Sequence, residues 1–229
     1  MTQEPGTRDK LFADITGHCA TPGCPMCHLM HDVMHSYMDS VMNEYILDIP
    51  ARAEMREARG YCKRHAWYLP EGRGRVLGIA IIHDDILKNV LRAIDEPREP
   101  RRVRRRAQAL LKRLRPSREC PACIYERKMD EVTTRALLKY LHDPEFARVL
   151  SASSGLCLRH FFNALEFVRD DATYDQLLAV QERTLSTLQM ELAEFIRKSD
   201  YRFQHEGFGK EGDSWLRAIA VVSGEKGAR

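Results

Sequence analysis

Apolar residues recur three and four positions apart along almost the whole chain, and the two-residue alternation of a half-buried strand is scarce. This pattern predicts an all-α protein. A first helix spans Pro25 to Leu47. Pro25 suits a first helical position because its missing N–H would have no intrahelical partner there. A short helix over Ala51 to Arg59 stops at Gly60, a residue able to take the left-handed conformation past a helix end. Cys62 to Tyr68 opens another turn, closed by Pro70-Glu71-Gly72. Val76, Ile79, Ala80, Ile86, Leu87, Val90, Leu91 and Ile94 form the apolar stripe of a fourth helix.

The second half repeats this order. Pro121 starts a helix running to Leu141, Pro144 to Ser151 forms a short one, and Ser153-Ser154-Gly155 turns the chain into a helix over Cys157 to Val168. Tyr174, Leu177, Leu178, Leu185, Leu188, Leu192 and Phe195 stripe the last long helix. The two series align with one residue fewer before Asp143 than before Asp48. We therefore expect an internally duplicated helical bundle of two pseudo-equivalent four-helix units. Its divisions are a first repeat over 1–97, a basic linker over 98–118, a second repeat over 119–200 and a C-terminal docking tail over 201–229. In the tail, Asp213 is placed to cap a short helix over Ser214 to Val222, ended by Gly224, with Trp215 and Ile219 on one face.

The repeat carries chemistry. Cys24-Pro25-Met26-Cys27 returns as Cys120-Pro121-Ala122-Cys123. Gly60-Tyr61-Cys62-Lys63-Arg64-His65 follows the first, and Gly155-Leu156-Cys157-Leu158-Arg159-His160 follows the second. Three thiols and one imidazole complete the shell of a tetrahedral thiophilic metal. Cys-x-x-Cys lets two sulfurs reach one ion, and Cys-x-x-His places two ligands one helical turn apart. Each CPxC stands at an expected helix N-terminus, where free amides and the helix dipole favour a thiolate. The candidate metal ligands are thus Cys24, Cys27, Cys62, His65, Cys120, Cys123, Cys157 and His160. The simplest grouping puts Cys24, Cys27, Cys62 and His65 on one ion and Cys120, Cys123, Cys157 and His160 on a second. The spacing does not exclude a crossed grouping, with Cys24 and Cys27 joined to Cys157 and His160.

Zinc, two ions, is the leading metal, because four protein ligands leave no open position for substrate. An iron–sulfur cluster on the same ligands is the rival, since histidine can replace one cysteine. Cys19 is a spare thiol with no counterpart, Arg115 occupying the matching position. Met26, Met30, Met34, Met38 and Met42 recur every four residues, interleaved with His28, His31 and His35, while the second half has Glu126, Asp130, Thr134 and Leu138 at the later stations. Methionine packs irregular helix interfaces well, and that reading outweighs a copper relay. Arg64 and Arg159 are placed to orient the sites, by donating to sulfur or by pairing with a carboxylate such as Asp48 or Asp143.

Composition narrows the class. The chain has 229 residues, 44% hydrophobic and 30% charged. Its longest apolar runs are too short to span a membrane, and the polar N-terminus lacks the apolar core of a secretory signal. Seven cysteines, an odd count in CxxC spacing, suit reduced thiols in a cytoplasm better than disulfides. The net charge of +3 conceals a local +9 over residues 98–118, so the rest of the chain carries −6. Arg101 to Arg118 can contact nucleic acid, but few aromatics accompany it, and a solvated connector is the favoured reading. No nucleophile elbow, phosphate-cradling glycine loop or HExxH motif is present, so no catalytic residues are assigned.

Duplicated CPxC and GxCxRH motifs, closed by Tyr201-Arg202-Phe203 and Asp213-Ser214-Trp215, resemble an uncharacterised bacterial family of helical proteins. The resemblance spans Cys24 to Ile219. It implies the helical fold and the eight ligands, and no reaction. Three functions compete: a zinc-binding helical module that binds or scaffolds a protein partner, an iron–sulfur redox protein or enzyme, and a zinc-containing regulator that binds nucleic acid through the basic linker.

Overall fold

The computed structural model describes residues 10–71, 75–95 and 102–226. Residues 1–9, Gly72 of the expected turn, Arg98 to Arg101 of the basic stretch and the last three residues lie outside the described residues. Eleven α-helices and no strand occur among the described residues. They are α1 (Lys10–Cys19), α2 (Pro25–Ser40), α3 (Ile49–Glu57), α4 (Lys63–Ala66), α5 (Val76–Asp95), α6 (Val103–Leu114), α7 (Pro121–Tyr140), α8 (Pro144–Ala152), α9 (Leu158–Phe167), α10 (Asp171–Ser199) and α11 (Ser214–Ser223). None of these is long and apolar enough to cross a membrane.

Local chemistry sets the boundaries. Pro25, Pro121 and Pro144 each stand first in a helix. Asp48 caps α3 by accepting the Ala51 N–H, and Asp143 caps α8 by accepting those of Glu145 and Phe146. Both aspartates are therefore occupied as caps and are not the partners of Arg64 or Arg159 expected above. α2 runs on into a π-helical turn, Val41–Tyr45. A π turn accommodates one extra residue within a helix. It absorbs the residue by which the stretch from Cys24 to Asp48 exceeds that from Cys120 to Asp143.

The chain divides into two units that are not successive halves. One joins the described residues up to Asp32 with those from Met129 onward, and the other is Val33–Lys128. In the first, α1 packs on α8, where Phe12 meets the rings of Tyr140 and Phe146. α10 and α11 pack together, and α11 also meets α9. The core includes Ile15, Phe146, Leu150, Leu156, Leu177 and Leu188. Of the expected α10 stripe, Tyr174, Leu178 and Leu185 are exposed, and Thr173, Val180 and Gln181 are buried instead. Asp213 holds the N-cap position of α11 but takes the Arg217 guanidinium rather than a backbone N–H. Trp215 and Ile219 face outward. The docked face is Ser214, Arg217 and Val221, tied down by Arg217 to Glu191 and by Lys198 to Glu211 at 2.7 Å.

In the second unit, Met34, Met38, Val41, Met42, Met55, Tyr68, Leu69, Ile82 and Ile86 form one apolar core. All five methionines of the four-residue series are buried in their respective units, as packing requires. Val76, Leu87 and Leu91 of the expected α5 stripe are exposed, and Ile82, outside that stripe, is buried. The basic stretch contains a helix, α6, that packs against α5 while burying no residue fully. Arg59, itself at φ 57°, ties the end of α6 down by donating to the carbonyls of Arg113 and Leu114.

Candidate metal centres

Each unit brings four ligand atoms together. Cys24, Cys27, Cys157 and His160 meet in the first unit, and Cys62, His65, Cys120 and Cys123 in the second. Within each quartet all ligand atoms lie within 4.8 Å of one another. All eight expected residues are used, but the grouping is the crossed one. The expectation that Cys24 and Cys27 converge with Cys62 and His65 is corrected. The CPxC pair of one half meets the CxRH pair of the other.

The local fold explains how. Cys24 and Cys120 immediately precede α2 and α7, and Cys27 and Cys123 lie in the first turns. Cys157 and Cys62 are the extended residues before α9 and α4. Gly155 at φ 71° and Gly60 at φ 93° turn the chain just ahead of these cysteines. A side chain at either position would be strained. Both quartets thus sit where two helices begin, among free amides that favour anionic sulfur.

Distances test the fit to one ion. In the first cluster His160 Nδ1 lies 3.6, 3.4 and 3.2 Å from the sulfurs of Cys24, Cys27 and Cys157, and Cys27 and Cys157 are 3.6 Å apart. In the second, His65 Nδ1 lies 3.4, 3.7 and 3.3 Å from Cys62, Cys120 and Cys123, and the Cys62 and Cys123 sulfurs are 3.7 Å apart. A tetrahedral ion with Zn–S near 2.3 Å and Zn–N near 2.0–2.1 Å sets S···S at about 3.8 Å and S···N at about 3.6 Å. The four edges given for each quartet are close to those lengths, and its other two lie within 4.8 Å. A disulfide needs sulfurs at about 2.05 Å, and all seven cysteines are free.

Behind each imidazole stands a carboxylate. His160 Nε2 lies 3.4 Å from Asp130 Oδ1, and both atoms are buried with no hydrogen-bond partner among the described residues. Asp130 Oδ2 accepts from Asn163 at 2.8 Å and from Arg159 at 3.3 Å. His65 Nε2 lies 3.6 Å from Glu126, whose other oxygen accepts from Arg64 at 2.7 Å. The arginines of both CxRH motifs therefore hold the carboxylate that faces the neighbouring histidine. A ligating histidine characteristically presents its second ring nitrogen to such a group, which sets the ring's orientation and raises its basicity. Glu126 and Asp130 were visible in the sequence as the polar interruptions of the stripe that is methionine in α2. Their role was not.

The electrostatics differ between the clusters. Burial disfavours the His160 cation, but Asp130 and the sulfurs outweigh it and hold the imidazole well above the usual histidine range. At His65 burial prevails, reinforced by the Arg64 charge, and the pKa falls to about 4. Bonds from Cys24 and Cys27 hold the Cys157 thiol far below its ordinary value, while burial raises Cys24. Burial also works against ionised Cys62, but the His65 backbone N–H and the Cys123 thiol outweigh it and lower its pKa. Burial pushes Cys123 up to about 12. In each quartet it is the cysteine before the CxRH helix whose thiol is lowered.

The other expected groups lie outside both quartets. Cys19 is buried, and burial pushes its thiol up to about 11. His31 faces Asp32, and His35 faces Glu71 at 3.1 Å. Cover separates the clusters further. Glu225, just past α11, accepts the Cys24 N–H at 3.2 Å, and a Cβ on Gly224 would stand 3.8 Å from the Cys27 sulfur. No sequence signal pointed to Glu225. A cavity of about 390 Å³ opens beside this cluster, lined by Cys24, Cys157, Ser154, Arg183, Thr187 and Glu225 among others.

Helices alone, with two buried thiolate–imidazole quartets able to hold metal ions, define an all-α protein with two candidate metal centres. The chain belongs to a family of unknown function, DUF6062, whose model matches residues 16–229. No match was found among curated proteins or among solved structures.

Proposed function

We propose that this chain holds two structural zinc ions, one in each crossed quartet, and serves as a helical module that binds or scaffolds a protein partner. The observation that carries the reading is the set of ligand distances, 3.2–3.7 Å along every measured edge. Those edges suit one small tetrahedral ion. An iron–sulfur centre distributes its protein ligands over two or more irons and asks for wider separations. Four protein donors per quartet leave no coordination position for a substrate, which favours a structural ion over a reacting one. Zinc there would join the CPxC helix start of one half of the chain to the CxRH helix start of the other. The matched order of helices and motifs in the two halves supports their origin by duplication.

Metal analysis of protein purified without oxygen tests this reading. Two zinc per chain and a colourless protein are expected. Substituted cobalt should give the intense visible bands of a tetrahedral thiolate site. Iron with acid-labile sulfide, or broad absorption near 400 nm, would replace zinc by a cluster.

A second reading draws on α6. Arg104, Arg105, Arg106 and Lys112 are exposed, and no acidic residue occurs between 102 and 118. Such a helix suits phosphates, and binding to nucleic acid should then weaken steeply with salt. Affinity unchanged between low and moderate salt excludes it.

A further inference from the structure

The two quartets share their donors, their edge lengths and their placement at helix starts, and they differ in access. Cys24, Cys27 and Cys157 are 4%, 1% and 0% exposed. The turn after α11 lies over them through Glu225 and Gly224. In the other unit Cys62 and Cys123 are half-buried. Lys63, next to Cys62, and Arg127, four residues after Cys123, are exposed. The half-buried sulfurs are 3.7 Å apart, almost the spacing of the buried pair Cys27 and Cys157 at 3.6 Å. Proximity is therefore nearly equal, and exposure is the geometric difference between the pairs. Oxidation of cysteine follows thiolate character and exposure together.

We propose that Cys62 and Cys123 form a redox-modification site, at which hydrogen peroxide joins the two sulfurs in a disulfide and expels zinc from that cluster alone. This rests on the zinc reading above. The chemistry balances with peroxide as the oxidant. One thiolate attacks the O–O bond, takes one oxygen as a sulfenic acid and releases hydroxide. The second thiolate attacks that sulfur and displaces a second hydroxide. The peroxide gains two electrons, and each sulfur gives up one. The sulfurs must close by roughly 1.7 Å to reach bonding distance. Cys62 precedes a helix of only four residues, α4, so a short element moves. The ion is left with Cys120 and His65, two ligands where four held it. The buried quartet, with the same sulfurs at the same spacing, keeps its ion.

The full-length zinc protein decides the matter. Its metal content is measured first, then hydrogen peroxide is added and released zinc is followed with a chromophoric chelator. One of two equivalents should leave rapidly, and the second at least about tenfold more slowly, as access predicts. Peptide mapping should find Cys62 joined to Cys123, and a thiol reductant with added zinc should restore the starting state. Cys62→Ser should remove the fast disulfide. Should that variant fold poorly, mapping the wild-type chain still gives the answer. Release of both ions at one rate, earlier loss from the Cys24 quartet, or a disulfide between other cysteines overturns the inference and leaves the zinc reading standing. A chain that never holds zinc overturns both.

Discussion

One cluster is roofed and one is open, although the same four donors build both. Cys24, Cys27, Cys157 and His160 are all buried, while Cys62 and Cys123 reach solvent. The carboxylates behind the imidazoles also differ. Asp130 is held by Asn163 and Arg159 and faces Nε2 of His160, whose pKa is raised, whereas Glu126 is engaged by Arg64 and faces a histidine whose pKa has dropped to about 4. A shared set of donors therefore leaves reactivity to the surroundings. Burial and second partners turn one formula into two environments.

Removing a sulfur should separate the clusters most. Cys157→Ala is expected to cost at least about 4 kcal/mol, because a structural ion's binding energy is part of the folding energy. Cys62→Ala, at a half-exposed site, should cost clearly less. Urea unfolding of both variants in equal zinc checks the order, and a reversed ranking would show that cover does not separate the sites.

Changes behind the imidazoles come next. Asp130→Asn should weaken zinc binding about 10–100-fold, the usual range for such outer partners. Glu126→Gln should act on the other ion only. Chelator competition resolves the two ions, and equal weakening of both by either change would refute the one-carboxylate-per-cluster assignment.

The roof itself is a smaller effect. Glu225→Ala removes the acceptor of the Cys24 N–H and should cost about 1 kcal/mol, the scale of a lost helix cap. The informative readout is thiol labelling, which should speed up at Cys24 and Cys27 and stay unchanged at Cys62 and Cys123.

The smallest effect concerns how the tail is anchored. The Gly209 N–H, then Lys198, lower the Glu211 carboxyl to about 2. A folded value below the ordinary 4.5 means that its stabilisation is present above about pH 4.5 and fades as pH falls towards 2. Glu211→Gln should lose that part of the acid dependence. A variant whose acid unfolding matches wild type would remove Glu211 from the anchor.

The ligands were legible because cysteine and histidine one helical turn apart write their chemistry into local spacing. Their partnership was not, since spacing joins Cys24 to Cys27 and Cys157 to His160 but says nothing about which pair meets which. That choice is made by packing across 130 residues or more. The helix starts at Pro25, Pro121 and Pro144 were equally readable, as was the stop before Gly60. Helix α1 was missed because its ten residues carry only a short apolar stripe, and α6 because charge dominates its composition and it buries no residue fully. Glu126 and Asp130 stood out only as polar residues in an apolar series. A carboxylate buried for a histidine looks, in one dimension, like an exposed helix residue.

Crossed pairing has a consequence for the order in which the chain is made. The cluster closed by Cys123 has all its ligands once that residue is synthesised, whereas the other waits for His160. Until Cys120 emerges, Cys24, Cys27, Cys62 and His65 are the available donors, and they form a complete but non-native set. The native closures span 61 residues in one cluster and 136 in the other, a difference of only about 0.7 kcal/mol in loop entropy. Equilibrium therefore discriminates weakly on distance alone. If the proposed metal is bound during synthesis, the nascent chain would meet an early choice between the wrong partners and waiting, and the timing of metal delivery would decide which quartet captures the first ion.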